Sequence, residues 1–228
     1  SFSQVEGSGG TVTGAGGTLT LYQTLSTTFA GAFAGSANLV KLGNLTTLTL
    51  TSVSATTGSI SLMGGDQPQT QPANFQGMML KDGGRFSGAS AIDLRNGTLF
   101  IDNTGTKDHA DRINNAAPIV LDGGRISYSG RSAAASTESL GAVTATNFGF
   151  STIRVTPGAS GSAEVTLAGL TRPAGSTFSV QGNSLGQSGN NSRILVVGGL
   201  GGNLAPVNGI VPGVVAGDPG SLPWPVGY

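Results

Sequence analysis

The chain of 228 residues contains no cysteine. That excludes a disulfide framework and any thiolate metal site. Charge is scarce as well: Asp, Glu, Lys and Arg make up 10% of the residues, and eleven bases cancel eleven acids. A neutral chain presents no electrostatic footprint for nucleic acid or for an anionic membrane, so neither is expected as a partner. No apolar run approaches the roughly 20 residues of a membrane helix, so no span is expected in this segment. The first twenty residues have neither a basic start nor an apolar core, so no secretory signal is read there. The chain is expected to be cytosolic, or a processed or excised piece of something longer. Aromatic residues amount to nine Phe, three Tyr and one Trp. That is too few for the aromatic girdles of a membrane β-barrel, and thin support for a sugar-binding cleft.

What is present is glycine, 39 residues of it, without a Gly-X-Y period. The glycines punctuate short stretches rich in Thr, Ser, Val, Leu and Ile, which is the composition of many short strands joined by tight turns. "TLTLYQTL" (18–25), "TTLTLTSVSA" (46–55) and "GSISLMGG" (58–65) alternate with a period of two, as half-buried strands do. Leu48 with Leu50, and Ile60 with Leu62, are expected on one buried face. Convincing amphipathic helices are missing; the best candidate is "HADRINNA" (109–116). Two polar stretches, 66–76 and 106–116, read as surface excursions. The tail 203–228 carries five prolines and is expected to be a cap or a lead into further sequence rather than a run of central strands. A segment with one oily face is stable only when stacked on copies of itself. We therefore expect an all-β right-handed parallel β-helix (solenoid) over residues 1–202, with an antiparallel sandwich as the other architecture that fits.

The tetrapeptide Asp-Gly-Gly-Arg occurs twice, at 82–85 and 122–125. A phosphate loop would need a helix after the glycines, and β-prone "FSG" and "ISYSG" follow instead. The pair is expected to form structural turns, with Gly at positive φ, Asp bonded to its own local backbone, and Arg85 and Arg125 stacked at related positions on the surface.

Around these turns the residues resemble a known family. "TTFAGAFAGSANLVKLGNLTTLTLTSVSATTGSISL" (27–62) resembles the autotransporter-associated β-strand repeat: Phe29, Gly31, Gly35, Leu39, Lys41, Gly43 and the Leu-Thr-Leu of 48–50 stand where that pattern places them. Asn44 to Thr47 replace its usual glycine-rich step. The segments over 117–182 are similar to the region that follows such repeats in large bacterial surface proteins. The resemblance implies a passenger-type β-helix outside a Gram-negative-type bacterium, and no particular ligand.

The residues offer no complete catalytic or metal-binding set. His109 lies between Asp108 and Asp111, one imidazole with two carboxylates, which reads as a solvated loop rather than a metal site or a base. Asp82, Asp93, Asp102 and Asp122 are the candidates for the paired carboxylates of glycoside hydrolysis. Asp82 and Asp122 are read as turn residues, and Asp93 and Asp102 as outward strand residues paired with Arg95 and with a base of the neighbouring coil. Tandem calcium nonapeptides are absent. Tyr22 and Tyr128 are placed on strands, Trp224 and Tyr228 in the tail. No catalytic, cofactor-binding or metal-binding residue is assigned. The expected function is a non-catalytic extracellular module of a bacterial surface fibre or adhesin, partnered by copies of itself, by flanking repeats or by a host or matrix surface. A carbohydrate-active β-helix enzyme and a self-assembling filament or matrix subunit are the alternatives.

Overall fold

A computed structural model of the chain describes residues 1–43, 46–64, 77–146, 150–187, 189–202, 204 and 213–217. Among these residues there are 21 strands and no helix. The first ten are β1 (Thr11–Gly14), β2 (Thr18–Tyr22), β3 (Thr27–Phe29), β4 (Ala32–Gly35), β5 (Asn38–Leu42), β6 (Thr47–Leu50), β7 (Val53–Thr56), β8 (Ile60–Met63), β9 (Gly77–Lys81) and β10 (Arg85–Phe86). They visit three sheets in strict rotation. β2, β5 and β8 lie in a nine-stranded sheet, β3, β6 and β9 in an eight-stranded one, and β1, β4, β7 and β10 form a four-stranded one.

Beyond β10 the rotation shortens. β11 (Ile92–Arg95), β13 (Ile119–Asp122), β15 (Ala135–Ala145), β17 (Ser162–Arg172), β19 (Ser192–Val196) and β20 (Leu200–Gly202) extend the nine-stranded sheet. They alternate with β12 (Thr98–Asp102), β14 (Arg125–Ser129), β16 (Phe150–Thr156), β18 (Thr177–Gly182) and β21 (Val214–Gly217) of the eight-stranded one. Every strand pair is parallel. Parallel neighbours need a crossover, and here the other sheets supply it. The arrangement is all-β, three parallel sheets, and is consistent with a parallel β-helix. An antiparallel sandwich is excluded.

The register explains the alternation seen in the sequence. Leu39 stands beside Ile60, Ile60 beside Ile92, Ile92 beside Ile119, Ile119 beside Val143 and Val143 beside Leu170. All six are at most 5% exposed. A second file, Leu50, Leu80, Ile101, Tyr128 and Val155, runs up the eight-stranded sheet. Like side chains pile on like, so each coil finishes the burial of the one beneath, and a slip of one residue would turn the whole file outward. Phe29 and Phe33 close the first coils, with ring centroids 5.4 Å apart.

The residues that carry the family resemblance sit at these packing points. Phe29 and Leu39 are buried. Gly35 has φ +90, and a Cβ there would stand 2.1 Å from the Gly14 carbonyl oxygen. Lys41 is 2% exposed and lies in register between Leu21 and Leu62.

Two expectations are corrected. The Asp-Gly-Gly-Arg stretches do not stack: one leads from β9 of the eight-stranded sheet to β10 of the four-stranded sheet. The other leads from β13 of the nine-stranded sheet to β14 of the eight-stranded one. Arg85 is in register with Val53, whereas Arg125 is in register with Thr98 and Thr152. Nor does "HADRINNA" form a helix. It is an irregular excursion in which Phe86 makes a parallel bridge to Ile113, prolonging the line of the four-stranded sheet. The polar stretch 66–76 lies outside the described residues.

Candidate functional site

The excursion between β12 and β13 holds Lys107, Asp108, Asp111, Arg112 and the chain's single histidine, His109, so it is the place to look for chemistry. At its centre is Arg112, whose residue has 0% exposure. Its Nη1 donates to the carbonyls of Asp82 (3.0 Å) and Gly84 (2.8 Å), its Nη2 to that of Lys107 (3.0 Å) and its Nε to Asn103 Oδ1 (2.5 Å). Asn103 is equally buried and donates to Asp108 Oδ1 (2.7 Å), the His109 carbonyl (2.9 Å) and Tyr128 Oη (3.2 Å). Ser136 Oγ donates to the other oxygen of Asp108 at 2.7 Å. From the next coil Glu138, 1% exposed, accepts the backbone N–H of Arg112 (3.3 Å) and of Ile113 (3.2 Å). The Glu138 carboxylate thus satisfies two backbone amides of the excursion from the next coil.

Burial dominates the electrostatics of the cluster. It raises the Glu138 carboxyl to about 8, against the pull of the two amides and of Arg112. Burial also raises the Tyr128 phenol and, ahead of compensation by Glu138, lowers the Arg112 guanidinium. His109 is lowered by burial and then by the positive Arg112 and Arg85. The imidazole is therefore kept neutral more than a surface histidine would be.

The candidate acids do not converge. Asp111 is bound through both oxygens by Arg85 Nη1 at 3.1 Å, while Asp108 serves Asn103 and Ser136, so the two do not form a set with His109. Among the described residues no group of three His, Asp or Glu is placed to hold a metal ion. Asp82 has φ 50 and itself takes the left-handed position that was expected of a glycine. Its Oδ1 accepts Thr106 N (2.6 Å) and Oγ1 (2.7 Å) of the next coil rather than its own backbone, and these bonds lower its pKa. In the second copy the left-handed residue is Gly123, φ 64, and Asp122 Oδ1 accepts Thr146 Oγ1 at 2.8 Å, again across coils.

Asp102 is more buried than expected, at 8% exposure. Burial alone would raise its pKa, but Thr104 and Lys81, whose Nζ lies 3.0 Å away, hold it below the usual range. Lys81 is the residue in register with it on the coil below. Asp93 pairs with Arg95 at 3.0 Å. An acid catalyst for glycoside cleavage needs a raised carboxyl opposite an ionised one; Asp82 and Asp102 are both lowered, and Glu138, the one that is raised, faces the core.

A surface groove of about 510 Å³ lies at the start of β15, β17 and β19, lined by Thr137, Glu164, Gln187, Asn191 and Arg193. Its one carboxylate, Glu164, is 3.3 Å from Arg193. Tyr22 lies exposed at the end of β2 and Tyr128 is buried, while Trp224 and Tyr228 fall outside the described residues. No family model, curated protein or solved structure matches the chain.

Sequence reasoning missed Asn103, Arg112 and Glu138. For Glu138 a signal existed. In "STESL" (136–140), Ser136, Glu138 and Leu140 share one phase of β15 and all three are buried. A carboxylate in phase with a core leucine was the cue.

Proposed function

We propose that the chain is a non-catalytic stretch of right-handed parallel β-helix from an extracellular bacterial surface or secreted fibre or adhesin, of the autotransporter-associated repeat type. The observation that carries this reading is how its polar groups are used. Asp82, Asp102, Asp108, Asp122 and Glu138 each bind a group on another coil or on the excursion. They hold the stack together, and among the described residues no acid is poised opposite a second one. The ladders of aliphatic side chains support the same reading, since a rod built from repeated coils sets distance and presents surface without needing a cleft. The family resemblance of residues 27–50 supplies the extracellular setting.

The reading is tested by incubating the purified chain with cells, matrix components, copies of itself and a panel of polysaccharides. Adhesion or assembly without cleavage is the expected result. Cleavage of a polymer, lost on single substitution of Asp82, Asp93, Asp102 or Asp122, would replace it with the enzyme alternative.

A further inference from the structure

Outward basic side chains on the strands are mostly matched with acids. Lys81 meets Asp102, Arg85 meets Asp111, Arg95 meets Asp93 and Arg193 meets Glu164, at 3.0–3.3 Å. β14 and β16 depart from this. Their sequences, "RISYS" and "FSTIRVT", carry Arg125 and Arg154 and no Asp or Glu, and "TFSVQG" of β18 adds none. Arg125 stands in register with Thr152, and Arg154 with Ser127. The two bases are therefore diagonal neighbours on adjacent coils, their Cα atoms about 8 Å apart by strand spacing and rise. Ile126, Ile153 and Val155, in the opposite phase, have 0% exposure, so both arginines belong to the outer face, where both are partly exposed. Among the described residues the Arg154 side chain meets no acid, and its Nε has no acceptor. Burial and then the positive Arg154 lower the Arg125 guanidinium to about 10. Like charges side by side on a sheet repel, and a bound anion would relieve that.

We infer that the outer face of β14 and β16 binds an acidic polysaccharide, whose carboxylate or sulfate groups are held by Arg125 and Arg154. A guanidinium fork takes an oxyanion through parallel N–H bonds. Around the pair the face is neutral and suits sugar rings. Ser127 and Ser129 offer partly exposed hydroxyls. Phe100 is in register with Ser127, and Phe150, 44% exposed, shares the phase of Thr152 and Arg154; the apolar face of a sugar packs on such rings. Nucleic acid is the weaker ligand. Its binding needs many phosphate contacts, two bases supply few, and the balanced charge of the chain adds no long-range attraction.

Titration calorimetry of the full chain at low salt tests this, with polygalacturonate and dextran sulfate as probes and uncharged dextran as the control. At least one acidic polymer should bind, uncharged dextran should not, and added salt should weaken the binding. Arg125→Gln and Arg154→Gln should each weaken it roughly tenfold or more, whereas Arg95→Gln, at an arginine paired with Asp93, should leave it unchanged. Arg154→Lys keeps the charge and should lose less; far-UV circular dichroism of each variant checks that the stack persists. No binding of either acidic polymer, or binding that survives both glutamine substitutions, would overturn the inference. Equal binding of double-stranded DNA would overturn it too, since the face would then read charge alone. The site names a ligand for the adhesin reading without resting on it: polymer binding without adhesion to cells would sink that reading and leave the site standing.

Discussion

Replacing Lys41 by methionine should make the protein more stable. Its ammonium group sits in an aliphatic file between Leu21 and Leu62, 2% exposed. It donates to the Thr46 carbonyl at 3.0 Å and, at 3.4 Å, to Thr46 Oγ1. Burial lowers its pKa from 10.5 to about 8. At about 1.4 kcal/mol per unit, keeping the charge inside costs roughly 3 kcal/mol at neutral pH. Methionine has a similar length and no charge. The Thr46 carbonyl keeps a donor in Gly77 N, 3.0 Å away, so the substitution leaves it satisfied. Allowing about 1 kcal/mol for the lost hydrogen bond, Lys41→Met should gain about 2 kcal/mol, or about 4–8 °C in Tm for a chain of this size.

The pH dependence distinguishes this cause from better packing alone. Between pH 8 and 10.5 the unfolded lysine holds a proton that the folded one has released. Wild-type stability therefore rises with pH over that window, while the variant's does not. The advantage of Lys41→Met should be full below pH 8 and shrink toward pH 10.5. Urea unfolding followed by circular dichroism, with both proteins compared at each pH, measures it. A variant that is less stable at pH 7, or a difference that is constant across the window, would refute the reasoning.

Glu138→Gln should remove a pH dependence of the opposite sign. With its folded pKa at about 8, the native state binds the extra proton between pH 4.5 and 8. Wild-type stability should fall by up to about 1.4 kcal/mol per unit as pH rises through that range, relative to the variant; parallel urea midpoints at pH 5 to 8 read the difference. Gly141→Ala would place a Cβ 2.0 Å from the Ala117 carbonyl oxygen and should cost about 3 kcal/mol or more. Gly16→Ala, at φ +70 with nothing within 4 Å, meets backbone strain alone and should cost about 1 kcal/mol. Thermal melts compare the two. Arg112→Ala strips a buried donor from three carbonyls and Asn103; trypsin should then cut after Lys107 several-fold faster, as followed by mass spectrometry.

The parts of the fold legible in the sequence are those where large aliphatic residues alternate. Leu48 with Leu50, and Ile60 with Leu62, are buried as their spacing required. The four-stranded sheet was harder to read, because strands such as "AFAG" and "VSAT" carry small residues whose burial leaves little pattern. β15 changes phase at Gly141: Leu140 and Val143 are both buried although three residues apart, which hides an eleven-residue strand from a period-two search. The repeated Asp-Gly-Gly-Arg misled for a physical reason. A tight turn needs the same residue types at any corner, so identical tetrapeptides serve two different corners. Arg112 itself was illegible, because two of the carbonyls it holds, those of Asp82 and Gly84, come from another coil and no local spacing announces them.

The uninterrupted parallel register also has a mechanical side. A tension applied along the stack would load the backbone hydrogen bonds between coils one layer at a time, because each coil grips only its neighbours. Such a stack should yield by peeling from an end, layer after layer at low force, rather than by shearing as a whole. The excursion clasped by Arg112 and Glu138 joins two coils through side chains as well as through strands, and it is the point at which peeling should pause.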